Sequence, residues 1–358
     1  MIETNSNERA PGGATVRKTS GVAAVTAPLP RPWLVADIGG TNARFGWLAA
    51  GSDDIQHVAT LACAAHAGPA AAAQFYLQNL TQTAGPAYSA PRAGAFAVAT
   101  AVAGDAVAFT NSGWAFSRRQ TAEDLALDEL LVLNDFEALA LSLPRLRPGQ
   151  LRAHGVCLPA SGTLAVIGPG TGLGVAGLKQ TAQGWLALPG EGGHASLSAA
   201  DDFEAALLAS VRGEFAHVSA ERLLSGIGLP VLHRAVARVL GLGLGLGLRT
   251  GALSAEDIVE RGLAGSDAAC SRTLDSFCAL LGSFAGNVAL TLGARGGVYI
   301  GGGIVPRLGE RFFASEFRAR FEAKGRFQAY LQAIPTALIT DTLAALTGTV
   351  QALEQHGH

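Results

Sequence analysis

The chain has 358 residues, 49% hydrophobic and only 15% charged, with a formal net charge of −2 at pH 7. That length accommodates two domains with a substantial core, and the composition excludes a disordered chain. No basic run stands out, so nucleic acid gains no electrostatic footing, and any phosphate affinity must be local, from backbone amides and a metal.

Residues 1–30 are polar, contain Gly and Pro, and carry no periodic apolar face. They read as a flexible N-terminal extension, dispensable in a chain starting near Arg31. Arg17-Lys18 and the residues after them mimic a signal peptide only loosely, because Pro28 and Pro30 break the apolar run. No unbroken run of about 18 apolar residues suggests a membrane span. Strand-like runs lie at Trp33–Ile38, Ala93–Ala99, Leu130–Leu133, Thr163–Ile167 and Gly297–Ile300. Helical patterns lie at Ala70–Thr83, Phe136–Leu143, Ala200–Val211, Ser219–Gly226, Leu229–Leu240, Ser254–Leu263 and Ser266–Leu292. The mixture predicts an α/β protein. The Gly-Leu alternation from Gly241 to Leu248 reads as a low-complexity joint. Cys63, Cys157, Cys270 and Cys278 form no C-x-x-C pair and read as small core residues in a reducing compartment.

Two strand-turn-strand units carry glycine, at Asp37–Gly46 and Gly168–Leu178, and suggest an internal duplication. In the first, Asp37-Ile38-Gly39-Gly40-Thr41 closes an apolar strand. Glycine there lets the backbone approach a ligand, and successive N–H groups can form an anion-binding concavity. Asp37 can hold a hydrated hard cation. A plain hairpin with a solvated aspartate is the bland alternative. The second unit contains a literal G-x-G-x-x-G from Gly172 to Gly177, with Glu191 downstream. A dinucleotide fingerprint must open a helix, whereas Leu173–Leu178 continues into a hairpin, so that reading is rejected. No G-x-x-x-x-G-K-[ST] occurs either.

Three further segments can carry chemistry. Leu130–Leu133 ends in Asn134-Asp135, where an aspartate can accept a hydroxyl proton and an asparagine can both donate and accept. A helix cap is the competing reading. In Leu188–His194, three glycines surround Glu191 and His194, an arrangement suited to a polyol. His194 lacks nearby ligands for a tetrahedral metal set. Glu221 opens the pattern Glu221–Gly226 and would favour a helix N-terminus. His217 and His233 read as surface or packing residues. Gly301-Gly302-Gly303 follows a strand and can admit a flat ring or phosphates, or serve as an ordinary turn.

Taken together, these strings resemble the bacterial glucokinases of the non-zinc type, within the sugar kinase, actin and heat-shock ATPase superfamily. The matching segments are Asp37–Arg44, Thr110–Ser117, Leu133–Phe136, Gly170–Gly174, Leu188–His194, Glu221–Gly226, Gly297–Arg307 and Phe321–Phe327. They run in order over roughly residues 32 to 355. The resemblance implies a two-domain ribonuclease H-like fold with a central cleft. It implies a small domain over 31–145 completed by 337–358, and a large domain over 146–336. It implies ATP phosphorylating D-glucose to glucose 6-phosphate, with Mg²⁺ held through water by Asp37. Ala36, Asp37, Ile38, Gly39, Gly40 and Thr41 would form the first phosphate loop, and Gly170, Thr171 and Gly172 the second. Gly301, Gly302 and Gly303 would border the nucleotide. Asn134, Asp135, Glu191, His194 and Glu221 would bind the sugar, with Asp135 as base.

A cytoplasmic homodimer is expected, without membrane or nucleic-acid partner. No structural zinc is expected, because the cysteine-rich loop of the related repressor–kinase group is missing. Ala101 stands where a proline is expected, and the extension and the Gly-Leu tract have no counterpart. A kinase for another hexose or amino sugar, a silent sugar sensor, and an ATPase chaperone or filament protein are the alternatives. The E-G-G-H loop argues against the last of these.

Overall fold

Residues 29–109, 113–155, 162–242 and 253–356 are described by the structure, a computed structural model. The strands of the first half are β1 (Trp33–Ile38), β2 (Asn42–Leu48), β3 (Gln56–Ala62), β4 (Ala93–Val98), a short ribbon of β5 (Ala106–Ala108) and β6 (Ala115–Ser117), and β7 (Glu129–Asn134). Five of them form a sheet in the order β3-β2-β1-β4-β7. The second half contributes β8 (Leu151–His154), β9 (Leu164–Pro169), β10 (Leu173–Thr181), β11 (Gly184–Gly190), β12 (Gly297–Ile300) and β13 (Thr336–Ile339). These form a sheet in the order β11-β10-β9-β12-β13-β8.

The two sheets repeat one pattern. In each, an antiparallel hairpin around a glycine turn precedes two parallel strands: β1 pairs with β2 and β4 as β9 pairs with β10 and β12. The duplication suspected from two short turns thus extends to whole sheets. Parallel interior strands are covered on both faces, which is why β4 (AGAFAV) and β12 (GVYI) read as unbroken buried runs.

The helices are α1 (Pro69–Ala84), α2 (Arg118–Asp124), α3 (Asp135–Ser142), α4 (Asp202–Arg212), α5 (Leu229–Val239), α6 (Ala255–Ala264) and α7 (Ala268–Leu292). Short helices between 304 and 332 and a C-terminal helix, Ala344–Gln355, complete the chain. On the outer face of the first sheet, Ala72, Tyr76 and Leu80 of α1 cover Phe45 and Phe96. On that of the second, α4 to α7 bury Leu207, Leu232, Ile258 and Phe277 with Ile167 and Ile300. Between the sheets, Ala138 and Leu141 of α3 join Leu346 and Val350 of the C-terminal helix, with Val35 on one side and Val166 on the other. The layers therefore run helix, sheet, helix pair, sheet, helices. α7 is long and apolar enough to cross a membrane, but 78% of its most apolar window is buried in the protein.

The helix pair is held by one glycine. A Cβ on Gly348 would collide with the Ala138 backbone carbonyl. We expect Gly348→Ala to cost about 3 kcal/mol, the upper range for overpacking against backbone. Denaturant unfolding measures it, and an unchanged midpoint would show that the two helices can part freely.

Three expectations change. Ser219–Gly226 is not a helix but a chain of turns, because distant carbonyls take its N–H groups: Ala220 donates to Ala195 O (2.9 Å), Glu221 to Gly193 O (2.9 Å) and Gly226 to Gly170 O (2.7 Å). The N-terminal extension does not reach residue 30. Leu29 packs on the central core, and the Trp33 indole N–H donates to Pro30 O (3.1 Å). Arg31 pairs with Asp53 (2.9 Å) and with Glu354 of the C-terminal helix (3.1 Å). A C-terminal segment beginning at 337 would cut β13, whose Thr336–Ile339 pair in the second sheet with β12 and β8. Residues 1–28, most of the Gly-Leu tract and Cys157 lie outside the described residues, and the other three cysteines are buried and free.

Candidate active site

Parallel strands present their carboxyl ends on one edge, and ligands of α/β sheets bind there. The register puts Asp37 and Ile38 at the end of β1, level with Ala97 and Val98 of β4 and with Leu133 and Asn134 of β7. In the second sheet, Ile167 near the end of β9 is level with Ile300 at the end of β12. Glycine turns and acidic side chains from both halves thus gather at strand ends.

The first turn is fastened at its base. Gly39 N donates to Asn42 O (2.9 Å), Cys63 N donates to Thr41 O (2.8 Å), and the Cys63 thiol lies 3.5 Å from Gly39 O. A pocket of about 260 Å³ opens beside it, lined by Asp37, Gly39, Gly40, Thr41, Asn42 and Arg44 among others. Ala36 and Ile38 are fully buried, so only their backbones can face a ligand. Arg44 Nη1 stands 3.7 Å from Asp37 Oδ2, across the hairpin where the two residues are register partners. Burial raises the Asp37 pKa, and Arg44 offsets part of that rise.

Gly170, Thr171 and Gly172 form the second turn, with Gly170 N donating to Gly172 O (2.8 Å). A Cβ on Gly170 or Gly303 would meet nothing within 4 Å, which leaves room for a ligand. Gly302 has φ +76°, and a side chain there would strike Pro169 O, so the third glycine run leans directly on the second turn. A Cβ on Gly301 would come 2.8 Å from Leu139 of α3.

The sugar-type residues form one cluster around the second turn. Glu221 Oε2 accepts the Leu173 N–H (2.8 Å) and fills the space a side chain on Gly172 would need. Its Oε1 lies 3.8 Å from His194 Nε2. Glu191 precedes a single 3₁₀ turn, Gly192–His194, whose His194 N–H donates to Glu191 O (3.0 Å). The turn is pressed against β10, because a Cβ on Gly193 would strike Leu173 O. Glu191 and His194 remain exposed, open to a ligand from solvent.

Asn134 and Asp135 begin α3. Asn134 does cap the helix: its Oδ1 accepts the N–H of Phe136 (2.9 Å) and Glu137 (3.4 Å), while Nδ2 donates to Thr100 O (3.2 Å). Asp135 is not the cap. Its half-buried carboxyl is pushed up to about 7, first by burial and then by the Asp37 charge. The next residue ties this helix to the other half, since the Phe136 ring lies over Gly168 and Gly174, where any side chain would collide with it.

Of the residues expected to bind nucleotide or sugar, Ala36–Thr41, Asn134, Asp135, Gly170–Gly172 and Gly301–Gly303 thus stand at or just beyond strand ends, and Glu191, His194 and Glu221 on loops beside the second turn. Arg44, Thr100 and Phe136 were given no individual role from the sequence, and Cys63 only that of a core residue. For Arg44 the hairpin spacing from Asp37 was the available signal. The others act through contacts far apart in sequence.

Comparisons with known proteins point to one family. The family model described as Glucokinase matches residues 34–356. The chain is 48% identical over 324 residues to a glucokinase of Aromatoleum aromaticum, covering 90% of this chain and 95% of that one. It is 48% identical over 318 residues to a glucokinase of Paramagnetospirillum magneticum, covering 88% and 95%. The crystal structure of a glucokinase from an Antarctic psychrotroph superposes with a TM-score of 0.80 at 37% identity, covering 90% of this chain and 98% of that one.

Proposed function

The chain belongs to the glucokinase family, and we propose on that premise that Asp135 is the base that prepares the 6-hydroxyl of D-glucose for transfer from ATP. The activity is ATP-dependent phosphorylation of glucose to glucose 6-phosphate, the first step of glycolysis. One observation carries the assignment of the base: Asp135 is half-buried at the carboxyl end of β7, close enough to the first glycine turn to feel the Asp37 charge. Asn134 is the N-cap, while Asp135 Oδ1 accepts the Phe136 N–H (2.9 Å), a bond that holds the carboxyl in place at the strand end.

Phosphoryl transfer asks the protein mainly for positioning and electrostatic stabilisation. Asp135 would orient the hydroxyl and take its proton. Glu191, His194 and Glu221 would hold the other sugar hydroxyls, with the remaining N–H of the Asn134 amide. Backbone amides of Gly39, Gly40 and Thr41 and of Gly170, Thr171 and Gly172 would cradle the phosphates. Gly301, Gly302 and Gly303 would border the nucleotide. Asp37, lining the pocket beside the first turn, suits Mg²⁺ held through water. The ion would offset charge on the phosphates. No zinc is proposed at the E-G-G-H loop.

Two domains meeting at a cleft complete the proposal, one of 29–145 with 340–356 and one of 146–339. Their closure would exclude water from the transfer. The chain is proposed to act in the cytoplasm as a homodimer, apart from membranes and nucleic acid. The family assignment does not favour another hexose kinase or a silent sensor. Coupled ADP release over a hexose panel tests the reading. Glucose should turn over fastest, and absence of turnover with every hexose would overturn it.

A further inference from the structure

Three side chains outside the cleft converge from two helices. His233 lies on α5, Asp267 caps α7 and Cys270 stands in the first turn of α7. A ring nitrogen, a carboxylate oxygen and the sulfur of the three all lie within 4.8 Å of one another. Cys270 is fully buried. His233 Nε2 is sealed from solvent and, among the described residues, has no hydrogen-bond partner. Asp267 Oδ1 accepts the Cys270 N–H (2.9 Å) as the helix cap, and the same carboxylate draws the Cys270 thiol proton. A buried nitrogen left unpaired costs stability, and a ligand seated on it removes that cost. The transfer of phosphate uses none of these groups.

The donor set selects its ligand. One sulfur, one imidazole nitrogen and one carboxylate oxygen suit a borderline or soft divalent ion, whereas Mg²⁺ and Ca²⁺ take oxygen ligands. Three protein ligands leave a fourth tetrahedral position for water. We propose that His233, Asp267 and Cys270 bind one thiophilic divalent transition ion, Zn²⁺ being the natural candidate, and so pin α5 to α7. This site would revise the expectation of a zinc-free chain.

Binding replaces a proton. The Cys270 S–H bond breaks, the sulfur keeps the electron pair and donates it to the ion, and the proton leaves to solvent.

Co²⁺ and Zn²⁺ added to the purified full-length chain test the site. Co²⁺ should bind with one equivalent per chain and give a thiolate-to-cobalt charge-transfer absorption, which Zn²⁺ abolishes by displacement. Zn²⁺ should raise the melting temperature. His233→Gln removes a direct ligand and should weaken Co²⁺ binding by at least the roughly 10–100-fold that losing a mere hydrogen-bond partner of a ligand costs, while glucose turnover with ATP and Mg²⁺ stays unchanged. Cys270→Ala should remove the charge-transfer band. If it fails to fold, His233→Gln decides the matter alone. A parent chain without the band, or His233→Gln binding Co²⁺ as tightly as the parent, would overturn the proposal and leave Asp267 as a helix cap only.

Discussion

Asp135→Asn is expected to lower glucose turnover by about 10²–10⁴-fold, the usual contribution of a positioned general base. The amide keeps the size and hydrogen-bonding shape of the carboxyl but cannot take the hydroxyl proton. Glucose affinity should fall only modestly, because Asn134, Glu191, His194 and Glu221 remain. The same change at Glu137, two residues along α3, should do far less. Steady-state kinetics with a glucose titration separates the two effects, and a variant retaining most of its kcat would remove Asp135 from the chemistry.

A second readout follows from the raised pKa. The carboxyl stands at about 7 rather than 3.8 because burial and the Asp37 charge disfavour its ionised form. Its stabilising share is complete below the ordinary carboxylate value and is lost as pH rises through about 7. In the metal-free chain, Asp135→Asn should therefore melt higher than the parent at pH 8 and lose that advantage at pH 4. An aspartate that was merely a cap would show the opposite sign, because its ionised form would stabilise the helix.

Glu221→Ala is the other change with a large expected effect, and it should damage both substrates. Its Oε2 holds the Leu173 N–H directly after the second glycine turn, and its Oε1 faces His194. Removing it leaves a donor unpaired and takes away a proposed sugar ligand, each worth about 1–3 kcal/mol. KM for glucose should rise by at least about tenfold, and ATP affinity should fall as the Gly170-Thr171-Gly172 turn loosens. Glu191→Ala is the control, since Glu191 is exposed and makes no such bond to the turn, so it should raise KM for glucose alone. Titration calorimetry with each ligand distinguishes them. Unchanged nucleotide affinity in Glu221→Ala would show that the turn holds its shape without the carboxylate.

Local patterns in the chain determined a good deal. Apolar runs ending in Asp37-Ile38-Gly39-Gly40, in Asn134-Asp135 and in Gly301-Gly302-Gly303 marked strand ends, because glycine and short polar residues interrupt a buried strand within a few positions. The hairpin after Gly172 was legible, which excluded a dinucleotide fold, because a run from Leu173 to Thr181 without capping residues cannot open a helix there. The helix over Ser254–Leu263 was legible too, and the structure caps it with Ser254, whose Oγ accepts the Asp257 N–H (3.1 Å).

Tertiary structure decided the rest, where the partner of a group is distant in sequence. Ser219–Gly226 has helical composition, yet its N–H groups are taken by Gly193, Ala195 and Gly170, and no local pattern encodes that choice. Asp135 owes its raised pKa to burial and to Asp37, which β1, β4 and β7 bring to the same sheet edge. Phe136 fits only because Gly168 and Gly174 leave its ring a flat place in the other half of the chain. His233 read as a packing residue until α5 set it beside Asp267 and Cys270. Glycine turns, caps and strand ends are short-range statements about backbone dihedrals, so the sequence carries them openly. Desolvation, charge coupling and convergent side chains depend on which distant residues share a volume, and only the packed chain settles that.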